Sequence, residues 1–194
     1  MVRMKIETKR LVLREVSEKD IEDIIEGVEK LAVSKWLLVV PHPYTKKDAL
    51  WWINDCKKKA KKKERTSYDF VIELKSEKKM IGGIGLTKID KFSGICSTGY
   101  WINPKYHRKG YASEAFDALL KFAFNKLKLR RINSSVFKGN PSSLILQKKF
   151  GFKEEGFKEK SKRAKADGKL KDEIITGLLK KDWRSWDEGK SKNL

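Results

Sequence analysis

The sequence predicts an α+β domain built on a mixed, mostly antiparallel sheet, and three observations carry that expectation. Apolar residues alternate with a period of two in several short runs. They recur at helical spacing in three other segments, cap residues open a fourth helix, and the two kinds of segment follow one another as β-α-α-β-β-β-α-β-α-β-β without an internal repeat. At 194 residues the chain suits one domain, with a core over about residues 6–183 and a basic tail over 184–194.

The elements are justified in order. Leu11, Leu13 and Val16 follow Arg10 at or near period two and read as a strand. Ser17 and Asp20 have the spacing of a capping box, and Ile21, Ile24, Ile25 and Val28 continue at helical spacing. Thr45 and Asp48 repeat that signature ahead of Ala49, Leu50, Trp52, Ile53 and Cys56, so a second helix runs into the lysines that follow. Residues 68–74, 80–89 and 97–102 are strand-like, broken by the polar turn 75–79 and by Gly94, which reads as an antiparallel meander. Ala112, Ala115, Phe116, Leu119, Ala123 and Leu127 line one face of a long helix, and 132–137 is the strand after it. Asn140 as N-cap and Pro141 at the first helical position open a short helix that ends at Phe150-Gly151-Phe152. Strands near 152–158 and 173–180 flank a basic segment.

Lys and Arg number 46 against 26 Asp and Glu, a formal charge of +20. A field of that sign attracts nucleic acid, ribosomes, acidic membrane surfaces or a multiply phosphorylated cofactor, although a solvated lysine-rich face is an equal reading. Much of the charge lies in 57–65 and 158–171. Aromatic residues are not interleaved with those runs and no zinc, RRM or helix-turn-helix signature is present, so a nucleic-acid module rests on charge alone. The longest apolar run, 36–40, is far too short for a membrane span, and the first fourteen residues contain no apolar leader core. A cytoplasmic protein with no membrane association is expected, as monomer or homodimer. Cys56 and Cys96 are spaced for neither a metal cluster nor a disulfide framework and are expected as free structural thiols, with no metal.

His107-Arg108-Lys109-Gly110-Tyr111-Ala112 carries the most chemistry. It stands between a strand and the long helix, its small residues let a ligand approach the backbone, and a helix start presents unpaired N–H groups to phosphate. An ordinary tight turn has the same composition.

This segment resembles the pyrophosphate loop of the GNAT acetyltransferases, Q/R-x-x-G-x-G/A, with His107 in the leading position. Thr8-x-Arg10-Leu11-x-Leu13-Arg14, Gly99-Tyr100-Trp101-Ile102, Asn140-x-x-Ser143 and Phe150-Gly151-Phe152 resemble the branch that acetylates the N-termini of ribosomal proteins, over about residues 6–183. The resemblance implies a GNAT fold: six to seven strands, about four helices, and two splayed central parallel strands, 97–102 and 132–137. It implies acetyl-CoA as co-substrate, its pyrophosphate on the amides of Arg108, Lys109, Gly110, Tyr111 and Ala112 beside His107. Its pantetheine would pair with the backbone at Trp101, Ile102 and Asn103. Asn140 would reach the pantetheine or the acceptor, or serve only as N-cap. Ser143 would line the cofactor site and donate the proton to the leaving thiolate, or be a first-turn serine.

Two features of that family are missing. Cys96-Ser97-Thr98 stands where a glutamate base often precedes the Gly-Tyr pair, and Gln147 stands where a tyrosine acid is usual. Glu73 and Asp90 are candidate water-linked relays. A protein α-amine, with a pKa of about 7.7–8.0 against about 10.4 for lysine, depends least on a strong base. The acceptor expected is therefore the N-terminal α-amine of a protein, ribosomal proteins included. The alternatives are a small polyamine, an aminoglycoside, a lysine side chain, or a non-catalytic basic protein that binds acyl-CoA or the ribosome. The basic segments would add weak electrostatic contact with ribosome or RNA, and Trp36, Tyr44, Trp51 and Trp52 lie in or near the region where this superfamily walls its substrate cleft, with core packing the alternative role for most of them.

Overall fold

A computed structural model describes residues 4–186; residues 187–194 of the expected basic tail lie outside the described residues. The strands are β1 (Lys5–Glu7), β2 (Leu11–Arg14), β3 (Tyr68–Leu74), β4 (Lys79–Asp90), β5 (Ile95–Ile102), β6 (Arg131–Phe137), β7 (Lys153–Arg163) and β8 (Leu170–Leu179). They form one sheet in the order β1-β2-β3-β4-β5-β6-β8-β7. Among the described strands only β5 and β6 run parallel. The helices are α1 (Ile21–Val28), the single turn α2 (Leu31–Ser34), α3 (Lys46–Ala60), α4 (Tyr111–Lys121) and α5 (Pro141–Lys149).

The sheet thus has one strand more than the six to seven expected, and α2 adds a fifth helix. Neither has a sequence signal: β1 is a three-residue edge strand with only Ile6 half-buried between two charges, and α2 is one turn long. The capping boxes predicted for the first two helical segments form, with Asp48 Oδ2 accepting from Thr45 N at 2.9 Å and Asp20 Oδ2 from Ser17 N at 2.8 Å.

Both faces of the sheet are covered. Leu11, Leu13, Phe70 and Ile72 point to α4, while Val71 and Met80 point to α1 and α3. With two faces buried, β3 reads as a nearly continuous apolar run. Leu13 is fully buried in the α4 layer. Leu13→Ala is expected to cost about 2–5 kcal/mol of unfolding free energy, read as a lowered urea midpoint with unchanged slope.

Two segments differ from their expected form. The helix expected through Leu127 ends in a π-helical turn over Phe122–Lys126, where Leu127 N donates to Phe122 O at 3.0 Å and Phe122, Ala123 and Phe124 stay buried. The basic segment expected to separate the last two strands is largely strand itself, with only 164–169 left as a turn and Gly168 at φ +65°. β7 is an almost wholly exposed edge strand, so no apolar alternation marks its length.

The central feature is a splay. β5 and β6 pair only at Ile95–Ser97 against Arg131–Asn133, yet β5 continues on β4 to Ile102 and β6 continues on β8 to Phe137. The expected splayed parallel pair is present, and the cleft between its arms opens on one side toward α4 and α5 and on the other toward α1 and α2.

Candidate active site

An antiparallel ladder sends the backbone groups of alternate residues to opposite neighbours. Asn103 N donates to Ile81 O at 2.8 Å, which by that alternation turns Asn103, Trp101 and Gly99 toward β4. Tyr100 and Ile102 are left facing the open edge. This corrects the expectation for Trp101 and Asn103, whose main chains are committed to β4; Ile102 faces the open edge, with its O already accepting from His107 Nε2. The Trp101 side chain is committed too: a Cβ on Gly27 would lie 2.3 Å and one on Gly83 2.7 Å from its indole, so the ring needs glycine on both sides. Asn103 nevertheless remains in the site. It is buried, its Oδ1 accepts from Lys105 N at 3.1 Å, and its Nδ2 has no hydrogen-bond partner among the described residues.

From Asn103 the chain makes one turn over Pro104–Tyr106 and enters the glycine-bearing loop. Arg108 has φ +60° and Gly110 φ +80°, and left-handed residues in such a turn aim successive N–H groups inward, as in backbone anion nests. Gly110 is the N-cap of α4, whose first-turn amides have no helical acceptors. The loop is held from below. Arg10 Nη1 donates to Lys109 O at 2.9 Å while its Nε donates to Glu114 Oε2 at 2.6 Å. Glu114 Oε1 accepts from Thr8 Oγ1 at 2.6 Å and from Arg10 N at 2.8 Å. Burial works against the Glu114 carboxylate, but these hydrogen bonds keep its pKa below the ordinary value. Thr8 and Arg10, seen in the sequence only as a motif, are the struts of this loop.

The loop side chains are mostly anchored locally. His107 Nε2 donates to Ile102 O at 2.9 Å, and Lys109 Nζ stands 5.6 Å from the Tyr106 ring centre. Arg108 is exposed. The loop is also tied to α1: Glu26 takes hydrogen bonds from Lys105 and from Lys79, which hold it at about 2 rather than 4.5. A carboxylate with a depressed folded-state pKa contributes stability above its unfolded value and loses it as pH falls through the folded one. The margin of the native protein over Glu26→Gln should therefore be full at pH 6 and shrink below about pH 4.5 until it vanishes near pH 2, as read by Tm against pH.

Consecutive residues of β6 point to opposite faces. Ser134 faces α5, where its Oγ accepts from Gln147 Nε2 at 2.9 Å, and Gln147 Oε1 accepts from Thr176 Oγ1 at 2.7 Å. Gln147 is therefore a buried tie between α5, β6 and β8 in place of the usual tyrosine. On the same face Tyr100 O–H donates to Ser143 Oγ at 3.2 Å, and Asn140 Oδ1 caps Ser143 N at 3.3 Å. Burial keeps the Tyr100 phenol above its ordinary pKa, against the pull of the Ser143 hydrogen bond. It stays a donor at neutral pH.

Ser135 points the other way, to the α2 side, and its Oγ donates to Glu173 Oε1 at 2.7 Å while Ser161 Oγ donates to Glu173 Oε2 at 2.6 Å. Asp20, Glu114 and Asp117 are also buried carboxyl residues, each with an Arg or Lys partner. Glu173 has none among the described residues. Sequence reasoning missed it because it lies inside a lysine-rich stretch, and its burial comes from strand pairing to β6 and β7.

The relays suggested by sequence are occupied elsewhere. Glu73 accepts from Arg14 Nε at 2.7 Å, and Asp90 is an exposed cap on Ser93 N. Burial pushes the Cys96 thiol up to about 12, which makes it inert. Among the suggested wall aromatics Tyr44 is buried and Trp51 faces solvent, while Trp36 reaches the cleft side, 3.4 Å from where a Cβ on Gly139 would stand. No group of three or more potential metal ligands occurs among the described residues. A cradle of inward amides, an unpaired strand edge beside the unpartnered Asn103 Nδ2, and a hydroxyl pair at the cleft fit a diphosphate joined to an amide-bearing thioester arm.

Comparison with known proteins bears on the family and the fold. Residues 10–153 match the family model described as an acetyltransferase (GNAT) domain. The chain is 32% identical over 182 residues to the uncharacterized N-acetyltransferase YnaD of Bacillus subtilis, covering 93% of this chain and 99% of that one. It is 27% identical over 122 residues, 62% of each, to the [ribosomal protein uS5]-alanine N-acetyltransferase of Escherichia coli. Among solved structures it resembles a GNAT-family acetyltransferase from Bacillus anthracis, with TM-score 0.76, 28% identity, and 91% and 98% of the two chains covered. It shares its fold with a spermidine N-acetyltransferase from Vibrio cholerae solved with CoA and spermine, with TM-score 0.75, 22% identity, and 90% and 98% covered.

Proposed function

Because this chain belongs to the acetyltransferase (GNAT) domain family and is therefore an acetyl-CoA-dependent N-acetyltransferase, we propose that its acceptor is the N-terminal α-amine of a polypeptide, ribosomal proteins included. The observation that carries the reading is Glu173: one buried carboxyl group without a cation among the described residues, on the α2 side of the splay, suits one ammonium group. A buried polar group needs a hydrogen-bonding partner, and an acceptor amine is one that this carboxyl group can take.

Acetyl-CoA, when bound, supplies the acetyl group as a thioester. The amides from Arg108 to Ala112 hold its diphosphate, and the backbone of Tyr100 and Ile102, with Asn103 Nδ2, lines its arm. Glu173, oriented by Ser135 and Ser161, receives the proton that the acceptor nitrogen must lose before it attacks. On the opposite face Ser143 Oγ holds a proton for the departing sulfur, and Tyr100 O–H, donating to it, keeps that hydroxyl in place. Carboxyl and hydroxyl pair thus stand on opposite faces of the splay. Ser143→Ala is expected to lower kcat about tenfold with little change in acetyl-CoA affinity, measured by initial rates and calorimetry.

The polyamine reading draws on the spermidine acetyltransferase fold. A small polycation is repelled by a chain of net charge +20 and needs several acidic groups, whereas the α2 side offers Glu173 among lysines. A cytoplasmic address goes with the α-amine reading, since nascent N-termini emerge there and Cys56 and Cys96 are both free and buried. Release of CoA thiol with free and N-blocked forms of one peptide, beside spermidine, tests it. Turnover of the free form alone is expected, and turnover of spermidine alone would overturn the reading.

A further inference from the structure

The β7–β8 hairpin carries cations that its own structure does not use. Lys162 stands directly opposite Lys171 in the register of β7 and β8. Like charges at opposed positions destabilise a strand pair. Lys171 turns to Asp167 at 2.6 Å, while Lys162 and, in the turn beyond it, Lys165 are exposed and have no carboxylate partner among the described residues. The turn does not wave in solvent. Lys165 N donates to Leu38 O at 3.1 Å, which straps the hairpin to the segment after α2 and sets its cations on the rim of the acceptor side. On the neighbouring rim Lys35 Nζ lies 4.9 Å from the Trp36 ring centre, and Trp36 approaches Gly139, just before Asn140.

We propose that this rim docks an acidic stretch of the acceptor polypeptide a few residues after its N-terminus, so that the enzyme selects acceptors by downstream Asp and Glu. The inference rests on the α-amine reading and names its substrate class. An extended chain advances about 3.3 Å per residue, so with the amine at Glu173 the fourth and later residues leave the cleft over the hairpin. A polypeptide suits the rim better than RNA: Leu38 and Val39 are exposed beside Lys165, and the Trp36 face that a base would stack on is covered by Lys35.

The test compares two peptides with the same first three residues, one with Asp and Glu at positions four to eight and one with Asn and Gln there. CoA release is measured in about 0.05 M and about 0.5 M salt. The acidic peptide should show KM about tenfold lower at low salt with kcat unchanged, since three exposed ion pairs together reach about that size, and most of the advantage should disappear at high salt. Lys162→Glu with Lys165→Glu should reverse the preference and leave the neutral peptide's rate unchanged; the first change sets opposite charges across the strand pair, so folding is not at risk. Equal KM values, or an advantage untouched by the double variant, would overturn the proposal. So would an RNA oligonucleotide that displaces the acidic peptide at lower concentration than an acidic peptide lacking a free amine. If neither peptide is acetylated, the α-amine reading falls, and anisotropy of the two labelled peptides on the same protein still decides whether the rim prefers acid.

Discussion

Gly110→Val is expected to weaken acetyl-CoA binding about a hundredfold while the protein still folds. Gly110 sits at φ +80°, where a β-branched residue is strained by at least about 1–2 kcal/mol, and its new Cβ would stand 3.3 Å from Arg10 Nη2. The loop escapes that strain only by turning, which misdirects the amides aimed at the diphosphate. Hydrogen bonds to charged groups are worth about 1.5–3 kcal/mol each, so losing one or two gives a change of that order in Kd. Calorimetric titration with CoA, beside a melting curve, checks it; an unchanged Kd would show that the diphosphate does not rest on this turn.

Glu173→Gln is expected to lower kcat by about two to three orders of magnitude and to leave CoA affinity unchanged. The amide keeps the size of the side chain and an oxygen for a serine hydroxyl, but it cannot take the proton of the incoming ammonium, and general base catalysis contributes about 10²–10⁴. The residual activity should climb as pH rises toward the α-amine's own pKa of about 7.7–8.0, because the neutral nucleophile then forms without help. A loss of only a few-fold, or a flat pH profile in the variant, would reduce Glu173 to a structural tie among β6, β7 and β8.

Much of this arrangement is legible from residue order, and the illegible parts share a cause. Strands with one or two buried faces, helices opened by capping boxes and the loop from His107 to Ala112 all have local signatures, because local geometry selects their residues. The Thr8-x-Arg10 motif was visible as a pattern, but its task, to brace Glu114 and Lys109 O across about a hundred residues, depends on tertiary placement. The resemblance points to the strand end at Trp101, Ile102 and Asn103 without saying which of them face the open edge, because hydrogen-bond parity is set by pairing to β4. Glu173 gave no signal at all. It is one acidic residue in a lysine-rich stretch, and only the meeting of β6, β7 and β8 buries it between Ser135 and Ser161. The length of β7 was hidden for the opposite reason, since an exposed edge strand places no apolar demand on its sequence.

One peptide with a free N-terminus and an internal lysine, incubated with acetyl-CoA and the enzyme, separates the competing acceptors in a single reaction. Fragment masses of the product locate the acetyl group. Acetylation at the α-amine, lost when Glu173→Gln replaces the native protein, is the predicted result. Acetyl on the lysine alone, or no acetyl peptide under conditions in which spermidine is acetylated, would contradict the assignment of this cleft to protein N-termini.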